Sequence, residues 1–220
     1  MKESDKKRIL NFLLGKVPLK DFESWIYTEA ELEYRIGSDF YFDLIEIDYR
    51  NNDSIHIAIN TILRKYIDPV ELKNFKYREI LEQAGWFQGR KVEQNIKGDE
   101  LEYELKNAWD ILTEFGGLEL ISNYKANYWT PKNIDFPKTV ERTIHGAKYG
   151  LDKQLICFAH IDDNNSALYV DDENNYYQLD DIANIDLYRF KEKEFPMMLQ
   201  NLLGLDKQNY FEHIGSLNRI

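Results

Sequence analysis

The stretch Ala84-Gly85-Trp86-Phe87-Gln88-Gly89-Arg90-Lys91-Val92 decides how this chain is read, together with Phe115-Gly116-Gly117-Leu118 further on. Glycine tolerates backbone angles that other residues avoid, so Gly85 and Gly89 mark tight chain reversals. Trp86 and Phe87 supply burial at the turn. Arg90 suits bonds back to carbonyls or a carboxylate that hold the turn closed. Gly116 and Gly117 end a helix whose apolar face runs Leu101, Leu105, Ala108, Leu112, Phe115. By spacing, Gly85, Trp86, Gly89, Arg90, Gly116 and Gly117 define the fold rather than a reacting site.

Upstream of the turn a short helix ends at Ala84, and Asp68-Pro69 marks a boundary. Asp caps a helix and Pro breaks what precedes it. The expected organisation is a small helical domain over 1–68 and an α+β domain over 69–220. In the first, Ser4 or Asp5 is expected to cap a helix carrying Ile9, Phe12 and Leu13. Pro18 opens a second, with Leu19, Phe22, Trp25 and Ile26 at helical spacing. Thr28-x-x-Glu31 reads as a capping box before Leu32 and Ile36, with Gly37 as the stop. Residues 40–49 fit a strand or a helix. Asp53 or Ser54 opens a helix through Ile55, Ile59, Ile62, Leu63 and Tyr66. The apolar faces around Trp25 and Ile26 are expected to pack on the second domain.

Downstream, Asp99-x-x-Glu102 resembles a capping box for the helix that ends at Gly116. Leu118 to Ile121 reads as a strand, and 123–148, with Trp129, Pro131 and Pro137, as loop. Leu155 to Ile161, Ala167 to Val170 and Tyr176 to Leu179 read as strands separated by Asp- and Asn-rich hairpin turns. A last helix carries Phe195, Met198, Leu199, Leu202 and Leu203, with Pro196 in its first turn.

The run Leu81-x-x-Ala84-Gly85-Trp86-Phe87-x-Gly89-Arg90-Lys91-Val92, followed by Phe115-Gly116-Gly117-Leu118, resembles the third branch of the SUKH superfamily. The sequences Ala167-Leu168-Tyr169-Val170-Asp171 and Tyr176-Tyr177-Gln178-Leu179, and the last helix, are similar to it as well. The resemblance spans residues 73–205, about two thirds of the chain. It implies a leading helix, the GW-x-x-GR turn, a helix closing on FGG, and an antiparallel sheet with flanking helices. It also implies an immunity protein (antitoxin) that binds and silences a cognate bacterial toxin, a nuclease or nucleic-acid deaminase. A non-catalytic scaffold or regulatory interaction module is the alternative. The resemblance brings no catalytic residues and no cofactor.

Composition sets the limits of these readings. Of the 220 residues, 43% are hydrophobic and 14% aromatic, enough for a true core. No stretch approaches the roughly 18 apolar residues that a membrane span requires. The start MKESDKKRILNFLLGK has no cleavage pattern after its short apolar segment. Cys157 is the single cysteine, which excludes an intrachain disulfide. These features point to a cytoplasmic protein with no membrane partner. The net charge of −11 argues against nucleic-acid binding, which needs clustered Lys and Arg. It favours a basic protein partner.

Between Lys153 and Arg189 no Lys or Arg occurs, while eight acids do: Asp162, Asp163, Asp171, Asp172, Glu173, Asp180, Asp181 and Asp186. Tyr169, Tyr176, Tyr177 and Tyr188 interleave with them. Hairpin turns at one end of a sheet would gather some of these carboxylates, and tyrosines would anchor a contact. The candidate partner-binding residues are therefore Asp162, Asp163, Tyr169, Asp171, Asp172, Glu173, Tyr176, Asp180 and Asp181. Asp and Asn also suit solvated turns for their own sake. Asp162, Asn164, Ser166 and Glu173 fall in a calcium-loop register, but Ala167 replaces the required Gly and strands replace the flanking helices. Cys157 and His160, three apart on one strand, should face opposite sides and cannot act as thiolate and base. No metal or catalytic site is expected.

Overall fold

Apolar side chains recurring every three or four residues build the first part of the chain. In the computed structural model, residues 1–50, 55–93, 106–121, 133–140, 142–162, 165–180, 185–205 and 211–217 are described. The chain divides into two units, Met1–Phe75 and Lys76–Ile220. Each has its own apolar core. The first holds α1 (Glu3–Leu13), α2 (Leu19–Thr28), α3 (Leu32–Ile36), α4 (Ser38–Ile45) and α5 (Ile55–Tyr66). Helix α6 (Pro69–Gln83) begins at the expected Asp68-Pro69 signal, where Asp68 Oδ1 accepts the Val70 N–H at 2.9 Å. The division between the units falls inside it.

In the first unit, Ile9, Phe22, Ile26, Leu44, Ile59 and Leu63 are fully buried. Phe12 stacks on Phe22 with ring centres 3.9 Å apart. Trp25 and Ile26 find their cover within this core, so their burial needs no second domain. Residues 40–45 are helical because Phe40 and Leu44, four apart, enter the same core. Two capping expectations fail. Lys2 precedes α1, and Asp5 lies inside it, buried and receiving Arg35 Nε at 2.8 Å and a second guanidinium nitrogen at 3.1 Å. Thr28 closes α2 by donating to the Ser24 carbonyl at 2.7 Å, and α3 starts after Glu31 without a side-chain cap. Residues 53 and 54 lie outside the described segments, as do Asp99 and Glu102.

The second unit is α+β. Helix α7 (Lys106–Phe115) precedes β1 (Glu119–Ile121), β2 (Asn133–Asp135) and β3 (Thr143–His145). A 3-10 turn (Gly146–Tyr149) leads to β4 (Gln154–Ile161), β5 (Ser166–Val170), β6 (Tyr176–Asp180) and β7 (Ile185–Phe190). Helix α8 (Phe195–Leu202) and β8 (Phe211–Leu217) follow. All pairings are antiparallel, in the order β1-β2-β4-β5-β6-β7-β8, with β3 also on β4. The expected loop over 123–148 thus contains β2, β3 and the 3-10 turn, and Trp129 lies outside the described residues.

One sheet face packs Phe158, Leu168 and Val170 into a core with Leu112, Phe115, Phe136 and Leu199. The other buries Leu155, Cys157, Tyr169, Tyr177 and Leu187, with Tyr149 and Ile144 packed against them. Strand β5 is buried at every position because both faces are covered. A bulge between Cys157 and Ala159 shifts the register of β4. Cys157 then opposes Tyr169 and His160 opposes Ala167, two residues apart on β5. The extra residue therefore brings Cys157 and His160 to the same face, contrary to simple alternation.

Candidate functional site

The glycine-tryptophan turn is a clamp between two helix ends. Helix α6 stops in a Schellman arrangement: Trp86 N–H donates to the Leu81 carbonyl at 2.9 Å and Gly85 N–H to Glu82 at 3.0 Å. This requires the left-handed backbone of Gly85, at φ 93°. Trp86 Nε1 donates to the Glu114 carboxylate at 2.8 Å. The Arg90 guanidinium donates to the carbonyls of Glu114 and Gly116, the latter at 2.7 Å. A cation thus sits on the orphan carbonyls at the negative end of α7. Gly117 N–H donates to the Phe136 carbonyl at 2.7 Å, passing the chain into the sheet. These contacts are internal. Phe87 alone among the turn's large apolar side chains stays mostly exposed.

The acidic strip divides between the two ends of the sheet, because an antiparallel chain reverses at every turn. The β5–β6 turn, residues 171–175, lies at one end. The Asp171 side chain is fully buried there. Its Oδ1 accepts the N–H groups of Glu173 at 2.9 Å and Asn175 at 2.8 Å. Its Oδ2 accepts from Asn175 Nδ2 at 2.8 Å, Tyr177 Oη at 3.0 Å and Lys153 Nζ at 3.3 Å. Burial alone would raise the Asp171 pKa, but the bonds from Asn175, Tyr177 and Lys153 outweigh it and hold it below the usual value. Burial, and then the Asp171 charge, push Tyr176 up to about 12. Asn107 Nδ2, on α7, donates to the carbonyls of Asp171 and Asp172 at 2.9 and 3.1 Å.

Asp171, Tyr169 and Tyr176 are therefore corrected from contact residues to fold residues: 1%, 0% and 4% exposed, they have no surface to offer. Asp172 and Glu173 remain exposed, and Lys153 sits 2.7 Å from the Glu173 carboxylate. Lys153 and Asn107 were not singled out from sequence. Asn175 and Tyr177, four and six residues after Asp171, were the available signal for a buried Asp.

The opposite end gathers different acids. Ile161 pairs with Ser166, Ser166 with Asp180, and Asp180 with Asp186. Asp162 follows directly, at φ 48°, and its Oδ1 accepts the Asn133 N–H at 3.2 Å. In the neighbouring strands Glu119 pairs with Asp135, which pairs with His160. Asp180 and Asp186 stand directly opposite, a like-charge pair that costs stability. Asp186 Oδ1 lies 3.7 Å from His213 Nε2, and Tyr188 packs edge-on to that imidazole at 5.3 Å. Asp163 and Asp181 lie outside the described residues. Glu119 joins this end through β1, the strand expected over Leu118 to Ile121, and Asp135 and Asp186 through β2 and β7, which the sequence reading did not place.

The remaining chemistry is sparse. Cys157 is fully buried and its thiol donates to the Ala159 carbonyl at 3.6 Å. The calcium register is broken, since Asp162 and Glu173 sit in turns at opposite ends of β5. Among the described residues no three of His, Cys, Asp and Glu converge to hold a metal ion. Among them, too, no helix is long and apolar enough to cross a membrane.

Residues 75–190 match the family model described as SUKH-3 immunity protein. No curated protein and no solved structure matches the chain.

Proposed function

Because the chain belongs to the SUKH-3 immunity protein family, we propose that it silences a basic toxin acting on nucleic acid by one-to-one binding. The toxin would be a nuclease or a nucleic-acid deaminase, met in the cytoplasm. The family match carries the immunity role. The gathering of Asp162, Asp180 and Asp186 at one end of the sheet supports an acidic contact surface there. A protein that grips phosphates must be basic around its site, and an opposed negative surface speeds their encounter. Asp172 and Glu173 at the other end are the second candidate surface. The reading is one of binding without catalysis, with the domain that binds running from α6 onward.

Co-expression with the product of the neighbouring open reading frame tests the role. Growth should fail when the neighbour is expressed alone, and this protein should restore it while co-eluting in equal amount. A harmless neighbour with nothing co-eluting removes the immunity reading. A rescued, co-eluting pair whose association rate ignores salt keeps that reading and removes the acidic surface.

A further inference from the structure

One cavity of the second unit runs against the overall charge of −11. It measures about 560 Å³ and lies between the segment 142–149 and the sheet face that buries Leu179. Arg142, His145, Lys148 and His160 line it, with Tyr149 and Leu179 among its apolar walls. Among the described residues no Asp or Glu lines this cavity, and none forms an ion pair with Arg142 or Lys148. His145 Nδ1 accepts the Ala147 N–H at 3.2 Å, which places its proton on Nε2 as a donor. The bulge in β4 turns His160 onto this face and so into the lining. The volume falls in the range of pockets that hold small molecules.

We propose that this cavity binds a small phosphate monoester with an apolar or planar body. Two permanent cations and two imidazoles exceed what the two oxygens of one carboxylate engage. A phosphate monoester offers three terminal oxygens and a charge approaching −2. Arg142 can grip two of those oxygens as a fork, and Lys148 adds a point charge. Tyr149 and Leu179 form the wall for the ester body. The cavity adjoins the acidic end of the sheet through His160, Ser166 and Ile185, but the proposal does not depend on the toxin reading.

The chain has four histidines, so the ring C–H signals of His56, His145, His160 and His213 report binding by nuclear magnetic resonance of the full chain. Phenyl phosphate, inorganic phosphate and benzoate are titrated at constant pH. The expected result is a saturable shift of His145 and His160 with phenyl phosphate, while His56 and His213 stay still. Inorganic phosphate and benzoate should each bind about tenfold more weakly, the first lacking the body and the second the charge. The R142Q/K148Q double variant, changed only at exposed positions, should keep its thermal midpoint and lose about tenfold or more in affinity. No saturable shift at millimolar phenyl phosphate overturns the proposal. So do four histidines moving in step, equal affinity for inorganic phosphate or benzoate, or a double variant that binds as the parent does.

Discussion

At the β5–β6 turn Asp171 is buried among five donors, whereas at the opposite end of the sheet Asp180 stands directly across from Asp186. Both ends draw on the same Lys-free and Arg-free strip of sequence. At the first, donors from four residues converge on one carboxylate, and the charge becomes part of the fold. At the second, Asp180 and Asp186 on adjacent strands face one another as like charges, and among the described residues no such set of donors converges on one carboxylate. An acid count along the chain cannot tell these uses apart. Stability should follow the first end, and association with a basic partner the second.

The largest expected break comes from Asp171→Ala. It strands buried donors of Asn175 and Tyr177 and should cost about 3 kcal/mol, read by urea unfolding. A loss below about 1 kcal/mol would place Asp171 among ordinary surface acids. The same carboxylate sets a pH dependence. Its folded pKa is depressed, so its contribution is complete above the unfolded value near ~3.9 and disappears as pH falls through the lower folded value. Acid unfolding of the parent should steepen in that window, and Asp171→Asn should flatten the dependence there.

Arg90→Ala comes next. It uncovers two carbonyls at the end of α7 and should cost about 2 kcal/mol by the same measurement. Gly85→Ala forces a side chain into the left-handed region and should cost about 1 kcal/mol. The smallest change in stability belongs to the acidic end. Asp186→Asn removes a like charge opposite Asp180 together with the charge beside His213, and should change the unfolding free energy by no more than ~0.5 kcal/mol. A marked loss there would mean that Asp186 serves the fold as Asp171 does.

Much of this architecture is legible in the chain because periodicity and turn chemistry are local. The helices bearing Ile9, Phe22, Ile59 and Leu112 follow from apolar spacing, and β5 and β6 from the Asp- and Asn-rich turns beside them. Strands β2 and β3 escape notice because three residues are too few to show a period. In β7 attention falls on Asp186 and Tyr188 as surface residues, and in β8 Gly215 and Ser216 interrupt the strand formers Phe211 and Ile214. The bulge in β4 has no local signature in Gln154–Ile161, yet it decides which face His160 takes. The caps failed at Asp5 because Arg35, distant in sequence, claimed its carboxylate, and at Thr28 because its hydroxyl bonds back to the Ser24 carbonyl within α2. Asp171 and Asp172 are adjacent and chemically identical. The donors of Asn175 and Tyr177 converge on Asp171 and bury it, while Asp172 stays exposed.

The most direct measurement is the stopped-flow association rate with the product of the neighbouring open reading frame, followed across ionic strength. Three proteins are compared: the parent, D162N/D180N/D186N, and D172N/E173Q. The expected result is that the triple variant keeps the parent's thermal midpoint, associates about tenfold more slowly at low salt, and loses most of the salt dependence, while D172N/E173Q matches the parent. A triple variant that associates like the parent, with the slowing found in D172N/E173Q instead, would contradict the assignment of the contact to the Asp162–Asp186 end.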